Sequence, residues 1–303
     1  MQHLKISATA RGLNYLPEYY AQARGLFADH DLEVTNVARD PWTGVLDDLE
    51  SGAADVALGG LWVPAMFADS GRHYTVVGQL NHQFPMAIVT RQPTPDFTLG
   101  WLTGKTVLAP GAGGSAPYEF TAGLMREAGV NPSGTKFVRD LSTAMLVELF
   151  EAGLGDAIIA DLVTATVLQD KGFGYISFEH AKAGGIMPNS VYYCKTERLD
   201  ELAPALSAFV TAVGEAMDAL TDATVDSVAD ILTDMWPDVP LAALKSATAK
   251  LLASHTWDTT SVDPAACDRW TGILQDGGLV TTAPSFDALI TTRFTAASPV
   301  PVA

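Results

Sequence analysis

A glycine-rich loop at residues 110–117, with the sequence PGAGGSAP, carries the clearest chemistry in this chain. Gly113 and Gly114 would let a ligand approach the backbone closely, and Ser115 is a favourable N-cap for the helix that follows. Free N–H groups over the turn from Gly113 to Ala116, with the helix dipole behind them, predict a site for a carboxylate, sulfonate or phosphate. The alternative is a tight strand-to-helix turn that binds only water. No Lys-Ser/Thr pair follows the glycines, so this is not a Walker loop.

Two tryptophans could supply flat apolar walls for a ring-shaped ligand. Trp62 follows the pair Gly59-Gly60, whose small size clears space beside it. Trp42 lies in the turn DPWTG and could form a second wall. Alternatively, Trp62 packs beneath the next helix and Trp42 covers a loop.

Four polar residues stand just after predicted strands. Arg11 could pair with a ligand carboxylate through two parallel hydrogen bonds, and Asn14 and Tyr15 offer an amide and a phenol without net charge. Asp161 ends the apolar run AIIAD and could accept a hydrogen bond from a ligand. The structural alternatives are an exposed Arg11, and helix caps for Asn14 and Asp161.

His82, in the sequence QLNHQFP, is the most reactive residue type in a predicted ligand-facing loop. An imidazole there could hydrogen-bond an anion, or act as a general base if the protein is an enzyme. A hydrogen-bonded structural histidine is the alternative. Apart from His82, the sequence offers no catalytic candidate.

Motifs for metals, cofactors and covalent catalysis are absent from the sequence. There is no C-x-x-C, H-E-x-x-H or G-x-S-x-G pattern and no pair of histidines at helical spacing, so we predict neither a metal site nor a cofactor. The two cysteines, Cys194 and Cys267, lie in apolar surroundings and are expected to be buried free thiols.

The elements that must position these residues alternate between strands and helices. Leu4 to Ala8 alternates as a strand, Pro17 opens a helix that ends at Gly25, and residues 31–37 alternate again. A short helix over 45–50 and a buried strand over 55–58 complete the first unit.

The same pattern recurs later in the chain. It predicts strands at 106–109, 136–138 and 157–160, with helices over 115–128 and 142–152 between them. After residue 198 the pattern is helical, over segments 199–220, 225–235, 241–253 and 264–275, and we expect these helices to pack on the first lobe.

Together these elements predict an α/β protein with two lobes, each a mixed sheet flanked by helices. Residues 1–86 and 195–303 form the first lobe and residues 87–194 the second, with the chain crossing near 86–90 and 190–195. In open α/β sheets ligands bind beyond the carboxyl ends of the strands, so the loops after the strands should line a cleft between the lobes.

This pattern resembles the extracytoplasmic solute-binding proteins of ABC importers for nitrate, sulfonates, taurine and thiamine-precursor pyrimidines. The residues that carry the resemblance are Pro17, Tyr19, Tyr20, Ala23, Gly25, Phe27, Leu32, Val34, Leu49, Gly52, Asp55, Ala57 and Gly59, echoed by Gly104-Lys105-Thr106-Val107, Leu149, Gly153 and Asp156-Ala157. The resemblance covers most of residues 4–220. It implies a type II periplasmic-binding-protein fold, hinge closure, ligand contacts at the 110–117 loop and an ABC permease as partner.

Charge and hydropathy limit the classes of partner. With 18 basic and 35 acidic residues the net charge is −17, which repels phosphate backbones and anionic lipids, so nucleic acid is not an expected partner. No run of about 18 apolar residues could span a bilayer. A small organic ligand, anionic or heterocyclic, is the expected partner.

Three functions remain open at this point. The first is solute binding for an importer, the second an enzyme on the same fold, such as a decarboxylase, a lyase or a pyrimidine-synthesising protein, and the third a cytoplasmic sensor. The cysteine-rich run of the pyrimidine-synthesising relatives is missing, and residues 11–16 lack the cysteine of desulfinase-like relatives, which favours binding. The chain begins MQHLKIS without a signal peptide. The protein is therefore extracytoplasmic if a signal has been removed, and cytoplasmic if Met1 is the native start.

Overall fold

The computed structural model describes residues 1–111, 116–139 and 141–295. Its ten strands in these ranges are β1 (Gln2–Ala8), β2 (Leu32–Ala38), β3 (Val56–Gly60), β4 (Tyr74–Asn81), β5 (Met86–Thr90), β6 (Thr106–Leu108), β7 (Lys136–Val138), β8 (Ala157–Asp161), β9 (Tyr175–Glu179) and β10 (Ser190–Lys195). The α-helices there are α1 (Leu16–Ala23), α2 (Leu26–Asp29), α3 (Gly44–Ser51), α4 (Trp62–Phe67), α5 (Ala116–Glu127), α6 (Thr143–Glu151), α7 (Leu162–Asp170), α8 (His180–Ala183), α9 (Leu199–Thr221), α10 (Ala229–Met235), α11 (Leu241–Ala253), α12 (Pro264–Asp276) and α13 (Phe286–Leu289). Short 3₁₀ helices occupy Leu13–Tyr15, Leu99–Leu102, Pro132–Gly134, Thr196–Arg198 and Val225–Val228.

The strands form two five-stranded mixed sheets of the same design. The first has the order β2-β1-β3-β10-β4 and the second β7-β6-β8-β5-β9. In each, three parallel strands are followed by one strand that runs antiparallel to its neighbours: β10 in the first sheet and β5 in the second. The predicted α/β fold with two mixed sheets flanked by helices is confirmed.

Strand β10 corrects one predicted boundary. The sequence pattern predicts residues 190–194 in the second lobe, but this is wrong, because β10 pairs with β3 and β4 in the first sheet. The connections between the sheets are residues 82–85 and residues 180–189. A short buried strand such as SVYYC fits the centre of either sheet, so its apolar pattern alone could not assign it.

The C-terminal helices also depart from expectation. Helix α9 packs on α1 and the first sheet, as predicted, but α11 packs on α7 and α12 packs on α5. Both α5 and α7 follow strands of the second sheet, so α11 and α12 join the two halves. Their amphipathic patterns predict that one face is buried but carry no information about what buries it.

Local signals explain where several helices begin and end. Pro17 lies in the first turn of α1, and Gly25, just after its end, has a φ of 78° that suits glycine. The side chains of Ser142 and Asp263 accept hydrogen bonds from the first-turn N–H groups of α6 and α12. In the described part of the chain, no helix combines the length and apolarity needed to cross a bilayer.

Candidate functional site

A cavity of about 530 Å³ lies where the carboxyl ends of the parallel strands of both sheets face each other. The loops after β1, β2, β3, β6 and β8 line it, together with the start of β5 and of β10. This is the location that open α/β sheets favour for ligands, and the volume suits a small organic molecule.

Aromatic rings form one wall of the cavity. Trp42 and Trp62 meet edge to face, with ring centroids 4.8 Å apart and an interplanar angle of 73°. Trp62 is almost fully buried, whereas Trp42 is half-buried. Phe84 and Trp236 add further aromatic surface. Such a wall favours a ligand with a planar or apolar part.

A cluster of uncharged polar groups faces the cavity from the first sheet. The Tyr15 hydroxyl lies 3.3 Å from the Thr9 hydroxyl, and Ser190 Oγ accepts from Nδ2 of Asn189 at 3.2 Å and, at a long 3.5 Å, from Nδ2 of Asn14. Burial raises the pKa of Tyr15, so its phenol stays protonated and can donate. The cluster can therefore both donate to and accept from a ligand without contributing charge.

Asn81, the last residue of β4, holds this cluster in place. Its Nδ2 donates to the Asn14 carbonyl at 3.1 Å, and its Oδ1 accepts from Asn189 Nδ2 and Ser190 N–H, each at 3.0 Å. Trp257 Nε1 also donates to the Asn14 carbonyl, at 2.9 Å. These buried bonds fix the position of Asn14 and Ser190 before any ligand arrives.

The opposite wall comes from the second sheet. Pro110, Gly111, Ala116 and Pro117 line it. Gly113, Gly114 and Ser115 lie outside the described residues, so the predicted anion site over this turn stays a prediction. Ala116 is buried at the first position of α5, which places the start of that helix at the cavity.

Two charged residues line the described wall of the cavity, one of each sign. Arg11 is exposed at its edge. Asp161 caps α7: its Oδ1 accepts from the N–H groups of Val163 and Thr164 at 2.9 and 3.0 Å, and its Oδ2 accepts from the Thr164 hydroxyl at 2.6 Å. The cap predicted as one alternative for Asp161 is thus what the structure shows.

His82 is not in the cavity, which corrects its predicted place in the cleft. It is the residue after Asn81, whose side chain turns toward Asn14 and Ser190. Since side chains alternate along an extended chain, His82 turns away from this cluster, and it is absent from the cavity wall. Its backbone N–H donates to the Thr256 carbonyl at 3.3 Å, and burial lowers the pKa of its imidazole. Its Nδ1 has no hydrogen-bond partner among the described residues. Because His82 is absent from the cavity wall, we do not expect it to act there as a general base.

Of the predicted site residues, the structure brings Arg11, Asn14, Tyr15, Trp42, Gly60, Trp62, Ala116 and Asp161 together at this cavity. The residues that the sequence pattern missed include Asn189 and Ser190, at the start of the antiparallel strand β10, and Trp236, which follows α10, and Leu251 in α11. An antiparallel strand starts at the edge of the sheet where its parallel neighbours end. If the sheet that contains β10 had been known, this rule would have identified Ser190 as a cavity residue.

The described cavity wall has three ionisable side chains, those of Arg11, Tyr15 and Asp161. It contains no His, Cys, Lys or Glu. Cys194 and Cys267 are buried free thiols, and burial raises the pKa of each to about 12. Within the described ranges, no cluster of three or more His, Cys, Asp or Glu side chains could hold a metal ion.

Comparison with known proteins gives the family. The family model described as NMT1/THI5 like matches residues 13–224, which span both sheets. The chain belongs to the NMT1/THI5-like family. The resemblance to solute-binding proteins predicted from the sequence is confirmed.

Several relatives of this NMT1/THI5-like chain illustrate the match. YtlA of Bacillus subtilis (strain 168) is 21% identical over 277 residues, which cover 90% of this chain and 81% of YtlA. Among solved structures, the ligand-binding component of an ABC-type import system from Staphylococcus aureus has a TM-score of 0.78 at 14% identity, covering 96% of this chain and 97% of that one. The alkanesulfonate-binding protein SsuA from Xanthomonas axonopodis pv. citri, bound to MOPS, has a TM-score of 0.75 at 14% identity, covering 96% and 98%. At these identities the structural likeness shows the fold.

Proposed function

We propose that this protein is the solute-binding component of an ABC importer and holds a small organic ligand in the cavity between its two sheets. The observation that carries the proposal is the wall itself, which combines aromatic rings with a preorganised neutral hydrogen-bonding cluster and has no His, Cys, Lys or Glu among its described residues. Such a wall binds a molecule and leaves it unchanged.

The ligand proposed for this site has a planar, aromatic or heterocyclic part and an acidic group. The ring lies against Trp42 and Trp62, and polar atoms on it bond to Asn14, Tyr15 and Ser190. The acidic group faces Arg11 or the start of α5, where a cation and helix N–H groups favour negative charge. The sulfonate ligand named for the SsuA structure is one acid of this type.

Each sheet with its helices acts as one lobe, and the lobes close over the ligand about residues 82–85 and 180–189. Closure must carry α11 and α12 with it, since these helices pack against the second half. The partner is a membrane permease. An importer takes up its ligand on the outer side of the membrane, so this proposal places the protein there.

A thermal-shift screen with alkanesulfonates, aromatic carboxylates, pyrimidines and nitrate tests the proposal. A compound at 100 times its dissociation constant stabilises the folded state by about 2.7 kcal/mol, which such a screen detects. Arg11→Gln should weaken binding of the acidic hits, while Arg72→Gln, which changes an exposed arginine outside the cavity wall, should leave it unchanged.

Mass spectrometry separates binding from catalysis. The best ligand, incubated with the wild type and recovered, should be chemically unchanged, and His82→Ala should bind it as the wild type does. Turnover of the ligand, or failure of every class to stabilise the protein, would contradict the proposal.

A further inference from the structure

Half of the ten arginines of this acidic chain are paired with carboxylates in the described structure. Arg24, Arg39, Arg198, Arg269 and Arg293 form ion pairs with carboxylates. Arg126 and Arg139 form none within the described ranges, although the net charge of the protein is −17. Both belong to the wall of one surface pocket of about 350 Å³.

This pocket lies beside β7 at the edge of the second sheet. Helix α5 supplies Tyr118 and Arg126, the turn around Pro132–Gly134 supplies Asn131 and Ser133, and β7 and the residue after it supply Phe137 and Arg139. None of these residues lines the cavity between the sheets. The pocket is therefore separate from the proposed ligand site.

The guanidinium groups of Arg126 and Arg139 could each bind an anion, but they have different surroundings. Nη1 of Arg126 is buried, yet it has no hydrogen-bond partner in the described structure. A buried cationic donor without a partner is costly, so such a group calls for an anion or water that satisfies it. Arg139 Cζ lies over the Tyr118 ring, 3.9 Å from its centroid, and this contact with the ring face uses none of the guanidinium N–H groups as hydrogen-bond donors to an oxygen.

Neutral donors complete the set. Asn131 uses its Oδ1 to accept from Ser133 N–H at 3.0 Å, so its Nδ2 remains a donor, and the Ser133 hydroxyl is exposed beside it. The Thr135 hydroxyl is not counted among these donors, because it already donates to the Leu102 carbonyl at 2.9 Å. The nearby carboxyl of Glu119 is buried, and burial raises its pKa although the charges of Arg139 and Arg126 act to lower it.

We propose that Arg126 and Arg139, with Asn131 and Ser133, form a second binding site, for a phosphate or phosphate monoester. A tetrahedral oxyanion offers enough acceptor oxygens for two guanidinium groups and two neutral donors at once. The Tyr118 and Phe137 rings, in edge-to-face contact with centroids 5.0 Å apart, border the same pocket and can contact the organic part of a monoester. This site does not depend on the ligand proposed for the main cavity.

Isothermal titration calorimetry with inorganic phosphate and with phenyl phosphate, at constant ionic strength, tests this site. The wild type should bind both, and Arg126→Gln combined with Arg139→Gln should weaken both at least tenfold. Arg72→Gln is the matched control, since Arg72 also lies over an aromatic ring, that of Phe67, but outside this pocket. Tighter binding of phenyl phosphate than of phosphate would identify a monoester as the favoured ligand, and equal affinity would identify the free anion.

Further variants test the site if the double glutamine variant does not fold, and they distinguish this pocket from the main cavity. If the double glutamine variant does not fold, Arg126→Lys and Arg139→Lys keep the charge and should still bind, more weakly because lysine lacks the bidentate geometry. Arg11→Gln should leave phosphate affinity unchanged. The proposal is wrong if the wild type does not bind phosphate, if the pocket variants bind it normally, or if Arg11→Gln abolishes binding and so assigns the anion to the main cavity.

Discussion

Gly60→Ala tests whether the aromatic wall of the cavity is built as described. A Cβ at residue 60 would lie well inside van der Waals contact with Nε1 and Cδ1 of the Trp62 indole, and 3.3 Å from its Cε2. The indole would have to move by roughly 1 Å to restore an ordinary carbon contact of about 3.5 Å. It has little room to do so, because Trp62 is 7% exposed and already meets the Trp42 ring.

The size of the effect follows from overpacking. Forcing extra methyl groups into well-packed sites typically costs about 1–3 kcal/mol, and we expect Gly60→Ala to lower the free energy of unfolding by that amount. The variant should still fold, since domains of this kind are stable by roughly 5–15 kcal/mol. Displacing one indole should also change the near-ultraviolet circular dichroism that the coupled pair of tryptophans contributes.

Urea unfolding followed by circular dichroism measures both effects. The control is Gly272→Ala in helix α12, where an added Cβ meets nothing within 4 Å. There the substitution should raise the free energy of unfolding by about 0.5–1 kcal/mol, because glycine is less favourable than alanine inside a helix. If Gly60→Ala is as stable as the wild type with an unchanged near-ultraviolet spectrum, the packing of Trp62 against Gly60 is not as the structure shows.

Two further predictions concern buried and capping carboxylates. Burial raises the folded-state pKa of Glu18 above its usual 4.5, although Asn36 and the Tyr192 hydroxyl donate hydrogen bonds to its carboxyl group. The contribution of Glu18 to stability is therefore fully present below pH 4.5. It is lost as the pH rises through the folded-state pKa. The free energy of unfolding of Glu18→Gln, minus that of the wild type, should therefore increase from pH 4.5 upward in urea titrations, and a difference that falls with pH would contradict a raised pKa. Asp161→Ala removes the N-cap of α7 and should lower the free energy of unfolding by about 0.5–2 kcal/mol. Asp161→Asn should retain most of the stability, because asparagine is also a good N-cap. If both variants lose the same free energy of unfolding, the cap does not stabilise the helix.

Much of the cavity was predictable because local rules place loop residues at known edges of a sheet. Trp62 and Asn14 follow strands whose parallel order is implied by the alternation of strands and helices, so their position at the carboxyl edge follows from connectivity. His82 shows the limit of this reasoning. Its loop was correctly placed near the cavity. The direction of the His82 side chain, however, depends on where strand β4 ends, because side chains alternate along a strand and a shift of one residue reverses their direction.

The sequence by itself determined most strands, the longer helices, the family and the absence of a nucleophile motif, since periodicity, capping residues and turn glycines are local signals; it did not predict β4 or β9. Tertiary structure alone decided which sheet receives the strand Ser190–Lys195 and which helices α11 and α12 pack against. It also decided that Asn81 meets the adjacent pair Asn189 and Ser190 behind Asn14, although Asn81 is far from that pair in sequence. Such contacts depend on which apolar faces bury one another, and burial is a property of the whole chain rather than of any short pattern within it.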